Sequence, residues 1–158
     1  MISFLLWLVA VELLGLAALP VAMATLPRLA DRGYGLAKVL GLLLVTYLNY
    51  LLGSALGLGN SVPLLALGMV VLFLVGLLAL GRERADLAGW FRANVAVVLL
   101  EEGIFVALFV VWTLFRAAHP AILSTEKPMD LALMTASHRA TSFPPYDPWM
   151  AGLTINYY

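Results

Sequence analysis

Two sets of acidic residues in this chain could do chemistry. Glu126 and Asp130 are four apart, so on a helix their carboxylates stand on one face, one turn apart. Two close carboxylates can bind a divalent cation through oxygen, or divide into an acid and a base where their environments differ. The same spacing also suits a plain solvated helix N-terminus, where acids favour the dipole. Asp147, flanked by prolines, is either a third carboxylate or a turn residue. The second set, Glu12, Glu101 and Glu102, lies inside strongly apolar runs. An ionisable group there must face protein or a water-filled cavity and is a functional hypothesis by default. Adjacent helical residues point about 100° apart, so Glu101 and Glu102 cannot share one pocket equally. Hydrogen bonding to intramembrane neighbours such as Asn49, Tyr47 or Tyr50 is the structural alternative.

The elements that must hold these groups follow from composition. The chain has 158 residues, 63% of them hydrophobic and 11% charged, against roughly 25% charged in soluble proteins. That excludes both intrinsic disorder and an ordinary water-coated domain. Nine basic and nine acidic residues cancel, which leaves no cationic field for nucleic acid. Absence of cysteine excludes disulfides, thiolate nucleophiles and Cys-ligated metals. An integral membrane protein in the lipid bilayer remains.

A bilayer core needs about 20 apolar residues per helix. Four spans are predicted, at about 3–25, 35–56, 62–80 and 94–117. Lys38 sits at the edge of the second, where its long side chain can snorkel to the headgroups. Ala22-Met23-Ala24 resembles a signal-peptide cleavage site, but no Lys or Arg precedes the long apolar run and Glu12 interrupts it. A retained helix is expected. Arg28, Arg32 and Lys38 follow the first span, and Arg82, Arg84 and Arg92 follow the third. The N-terminus and the Gly57–Ser61 linker carry no basic residue, so both termini are expected outside the cell membrane.

Residues 118–158 form a separate tail. Pro120, Pro128, Pro144, Pro145 and Pro148 forbid a continuous helix there. One short amphipathic helix fits from about Thr125 to Arg139, capped by Ser124 or Thr125, and is suited to the membrane surface. The segment from Phe143 to Trp149 reads as a rigid extended loop, with Tyr146 and Trp149 suited to the interfacial belt. Gly53 and Gly57 make a small-xxx-small pattern that speaks of packing. His119 and His138 have no ligand-like spacing, and no generic catalytic or nucleotide-binding motif occurs. The expected fold is therefore all-α: a polytopic bundle of about four transmembrane helices (1–117) with an extracytoplasmic tail (118–158) that carries a short interfacial helix.

Several blocks resemble a known family. Arg116, His119-Pro120, Thr125-Glu126-Lys127-Pro128-Met129-Asp130, the Phe143–Trp149 block and the run from Ala151 to Tyr158 are similar to the YYY family. So are Asp31 through Gly41 and Glu102 ahead of Phe105. That family comprises large polytopic membrane proteins of archaea and Chloroflexi, named for a run of tyrosines. Its run carries at least one more tyrosine and continues through further helices, whereas this chain stops at Tyr157-Tyr158. The resemblance thus implies an N-terminal portion, not active alone.

The YYY family is similar to the C-type glycosyltransferases, which use lipid-phosphate-linked sugars. In that superfamily an acidic residue of the first large outer loop is the catalytic base or helps hold a metal. The resemblance implies that position at Asp130 or Glu126, with Lys127 available for a phosphate. It places Asp147, Trp149 and Tyr157 among the substrate-binding residues and leaves a divalent cation open as cofactor. The leading expectation is a polyprenyl-phosphate-sugar glycosyltransferase. The alternatives are a transporter or channel component using Glu12, Asn49, Glu101 and Glu102, or a non-catalytic assembly subunit bound to a membrane-protein partner.

Overall fold

The computed structural model describes residues 2–81, 87–122 and 126–155. It contains six helices: α1 (Ile2–Thr25), α2 (Ala37–Leu56), α3 (Val62–Leu80), α4 (Leu87–Ala93), α5 (Val95–Ala118) and α6 (Lys127–Arg139). Four of them, α1, α2, α3 and α5, are long and apolar enough to cross a membrane. In lipid every backbone N–H and C=O must be satisfied within its own segment, and an α-helix does this by construction. Pro20 inside α1 is tolerated in that setting.

The packing is that of a protein whose outer solvent is lipid. Leu6, Trp7, Leu43, Leu78, Leu99 and Trp112 all point outward, whereas the buried residues are mainly small: Ala17, Ala18, Ala22 and Ala37, with Met23 and Val45. Small interface residues let membrane helices approach closely, because lipid gives no hydrophobic drive between them. Gly41 is the clearest case, since a Cβ there would run into the backbone carbonyl of Leu14 on α1. Among its described residues α5 has none that is buried.

Two compact units can be distinguished. Unit 1 comprises Met1–Val45 and Met69–Ala118; unit 2 comprises Thr46–Gly68 and His119–Tyr158. In unit 1, Gly15 lies against Lys38 and Gly41 against Leu14, so the first turn of α2 is level with the middle of α1. Lys38 is therefore set about 15 Å inside the C-terminal end of α1, counting ten residues from Gly15 to Thr25 at 1.5 Å each. Turns between Leu26 and Ala37 bridge the offset, with successive i to i+3 bonds such as Leu29 N–H to Leu26 C=O and Tyr34 N–H to Asp31 C=O. An added helix, α4, precedes the fourth span. Its seven residues are too short and too mixed to register as a hydropathy peak. Asn94 joins the two helices, its side-chain amide donating to the Trp90 carbonyl at 2.9 Å.

In unit 2, α2 ends at Gly57, whose positive φ of 64° lets the Leu58 N–H turn back to the Gly53 carbonyl. The tail packs on this end of the hairpin. Phe143 lies against Gly53 and meets the Tyr50 ring edge-on at 5.7 Å, while Gly59 abuts Ala140 and Thr141. Gly53 and Gly57 thus differ in role: one receives the tail, and the other ends a helix. The segment expected to be extended instead folds back on itself after a cis Phe143–Pro144 bond. Asp147 N–H donates to the Leu153 carbonyl and Ile155 N–H to the Pro145 carbonyl, pairing Tyr146 with Thr154.

α6 begins at Lys127, later than expected. Glu126 occupies its N-cap without a side-chain hydrogen bond, and the expected caps Ser124 and Thr125 lie outside the described residues.

Candidate functional site

The most constructed polar site is in unit 1, and its centre is Lys38. The ammonium donates to Glu102 Oε1 at 2.8 Å and Oε2 at 2.6 Å. It also pairs with Glu12 Oε2 at 3.3 Å and lies over the Phe105 ring at 4.2 Å. Tyr34 closes the group, its hydroxyl donating to Glu102 Oε2 at 3.0 Å. Glu12 comes from α1, Lys38 from α2, and Glu102 and Phe105 from α5, so one cation ties three helices together. Burial and the neighbouring Glu102 carboxylate push the Tyr34 phenol above its ordinary range, so it stays protonated and donates.

Lys38 corrects the sequence expectation. Its side chain is 14% exposed and turns into the acidic group rather than snorkelling to the headgroups. The reason is the register of α2 on α1: with its first turn beside Gly15, Lys38 comes within reach of both Glu12 and Glu102. The partners expected for the intramembrane acids, Asn49, Tyr47 and Tyr50, do not serve Glu102, which accepts from Lys38 and Tyr34 instead. Asn49 is 5% exposed in unit 2, where its amide donates to Asn60 Oδ1 at 3.2 Å.

Glu101 points elsewhere, as its angular offset requires. Its Oε2 and Asp31 Oδ2 both lie close to Gly35. Asp31 is held by Gly33 N–H at 3.1 Å and Gly35 N–H at 2.9 Å. A pocket of about 190 Å³ opens here between Val11, Leu42, Glu101 and Phe105. Glu101 Oε2 and Glu12 Oε1 are buried and have no hydrogen-bond donor.

The tail residues are arranged differently. Glu126, Lys127 and Asp130 occupy the N-cap and first turn of α6, and all three are exposed. Asp130 N–H donates to the Glu126 carbonyl at 2.9 Å, so the two residues are one helical turn apart. Asp147 acts as a turn residue, with Oδ1 accepting from Trp149 N–H at 2.8 Å and Met150 N–H at 3.0 Å. Trp149 is 58% exposed. Tyr157 lies outside the described residues. No group of three or more His, Cys, Asp or Glu among the described residues is placed to hold a metal ion. Glu126 and Asp130 supply two carboxylates, the number through which Mg²⁺ is bound where phosphate and water complete its shell.

Sequence reasoning missed Tyr34 as a site residue and misplaced Lys38. The available signal was their four-residue spacing together with Glu102, a buried acid that needs a cation. No curated protein and no solved structure matches the chain. A family of membrane proteins matches residues 44–158, which covers the later part of α2, all of α3, α4, α5 and α6, and the tail. With four helices long and apolar enough to span a bilayer, the chain is an integral membrane protein, and it belongs to the family described as uncharacterized membrane protein DUF2298.

Proposed function

We propose that this chain contributes the acid-bearing outer loop of a membrane glycosyltransferase that uses a polyprenyl-phosphate-linked sugar. One observation carries the reading: α6 presents Glu126, Lys127 and Asp130 exposed on its first turn, in a tail docked on the α2–α3 linker. A tail held at the end of two spans sits at headgroup depth, where a lipid-linked sugar presents its anomeric carbon. The resemblance to the YYY family points to the same residues. In this reading the Asp130 or Glu126 carboxylate takes the proton of an acceptor hydroxyl. The acceptor oxygen bonds to the anomeric carbon as the bond from that carbon to the phosphate oxygen breaks. The lipid phosphate leaves with its negative charge beside the Lys127 ammonium. The tail, the linker and both chain termini then belong outside the plasma membrane, with Arg28, Arg32 and Arg92 inside.

The test is sugar transfer from a polyprenyl-phosphate donor, using the chain in membranes together with any downstream sequence its gene encodes. Asp130→Asn or Glu126→Gln is expected to lower turnover about a hundredfold, the lower end for loss of a general base. Full activity in both variants would remove these roles.

A second reading, a transporter component, draws on a different observation. Glu101, which lines the unit 1 pocket, and Glu12, on the other side of Lys38, each keep a buried oxygen with no donor. It predicts pH-dependent flux in liposomes that Glu101→Gln alters. Flux that Glu101→Gln leaves unchanged excludes it.

A further inference from the structure

α6 carries a second feature, a stripe that runs from its first turn to its C-terminal end. Pro128, Leu131, Ala132, Thr135, Ala136 and Arg139 recur at spacings of three and four, so they form one stripe along the helix. Pro148 of the tail walls this stripe and makes it a trough of about 380 Å³. The stripe runs about 16 Å from Pro128 to Arg139 at 1.5 Å per residue. Ala132, Thr135 and Ala136 keep the floor shallow, and Leu131 and the two prolines supply apolar walls.

Arg139, at the end of the trough, is exposed and is the one charged residue among those that line it. Asp147, next to Pro148, uses Oδ1 to bind the backbone of its own loop. The tail exposes large apolar side chains as well: Leu131, Met134, Trp149 and Met150 are 46%, 67%, 58% and 58% exposed. So much outward apolar surface on a tail pinned to the hairpin linker fits the bilayer interface better than water.

We propose that this trough seats one anionic phospholipid of the surrounding leaflet. An acyl chain lies along Leu131, Ala132, Thr135 and Ala136, and the phosphate is received by the Arg139 guanidinium. Charge complementarity selects this occupant: an apolar channel one chain wide that ends in a lone cation matches an acyl chain ending in an anion. A guanidinium also binds phosphate through paired N–H donors, which an ammonium cannot do. This inference stands apart from sugar transfer, since Arg139 is at the opposite end of α6 from Glu126 and Asp130.

The experiment places the whole chain in phosphatidylcholine nanodiscs doped with phosphatidylglycerol that carries a photoactivatable acyl chain, and maps the crosslinks by mass spectrometry. Crosslinks are expected within residues 131–136. Arg139→Gln should lower their yield about fivefold, the effect of one interfacial cation. Arg139→Lys should retain part of the yield. Ala136→Phe should block crosslinking by filling the trough with Arg139 still present. The same probe on a phosphatidylcholine headgroup should be indifferent to Arg139→Gln. Yields independent of both headgroup and Arg139 overturn the proposal. So do protein–protein crosslinks across the stripe, which would make it a face between two copies. Because occupancy is read without turnover, failure of the glycosyltransferase reading leaves this result unaffected.

Discussion

The two acidic groups of this protein occupy opposite physical situations. In unit 1, Glu12 and Glu102 meet a single buried ammonium, and Tyr34 donates to the same Glu102 carboxylate. In unit 2, Glu126 and Asp130 stand exposed on a helix end, and Glu126 makes no side-chain cap bond. The first arrangement holds helices together and tolerates no missing member. The second costs the fold almost nothing to change, so a loss of activity there can be assigned to chemistry rather than to structure.

The comparison can be broken in unit 1 first. Lys38→Met leaves two carboxylates facing each other in an apolar bundle, and should destabilise the protein by about 3–5 kcal/mol. Unfolding in detergent–lipid mixtures measures this. Adding Glu12→Gln and Glu102→Gln to Lys38→Met should recover most of the loss, because the uncompensated charge is then gone. Wild-type stability in Lys38→Met would mean the cluster holds nothing together. Glu102→Gln alone should cost about 1.5–3 kcal/mol, because Lys38 loses its two-oxygen acceptor and keeps only the longer contact to Glu12.

A smaller effect belongs to the tail's seat. Gly53→Leu pushes against Phe143 and should cost about 1–3 kcal/mol through overpacking. Hydrogen exchange should then rise in residues 143–155 and stay unchanged in α1. Tyr34→Phe removes one hydrogen bond to Glu102 and should cost about 1 kcal/mol, read in the same unfolding assay. At the bottom of the scale, Asp130→Asn and Glu126→Gln should shift stability by no more than about 0.5 kcal/mol. A large destabilisation by either would erase the contrast between the two groups.

The four apolar helices were readable because burial in lipid imposes about 20 uninterrupted apolar residues, a signal that survives without tertiary knowledge. The offset between α1 and α2 was not readable. It depends on Gly15 and Gly41 letting two backbones close up at one register, and a glycine in a sequence does not state what approaches it. Lys38 was misjudged for that reason alone: its distance from the span boundary was right, but the boundary itself lies deep beside α1. The fold-back after Phe143 was hidden too, since prolines exclude a helix without saying which way the chain turns. Asp147 stands between two prolines, and only the Trp149 and Met150 N–H groups that its Oδ1 accepts from show that a turn forms there.

The position of Lys38 bears on how the protein is made. Glu102 is encoded 64 residues after the lysine it binds. A nascent chain that has emerged only as far as Leu56 has Glu12 to offer, and the bidentate partner has not yet been synthesised. The first two helices therefore carry Lys38 and Glu12 as a single ion pair. Only α5 brings the Glu102 carboxylate, so the full shell around this ammonium is a property of the whole bundle and not of its first two helices.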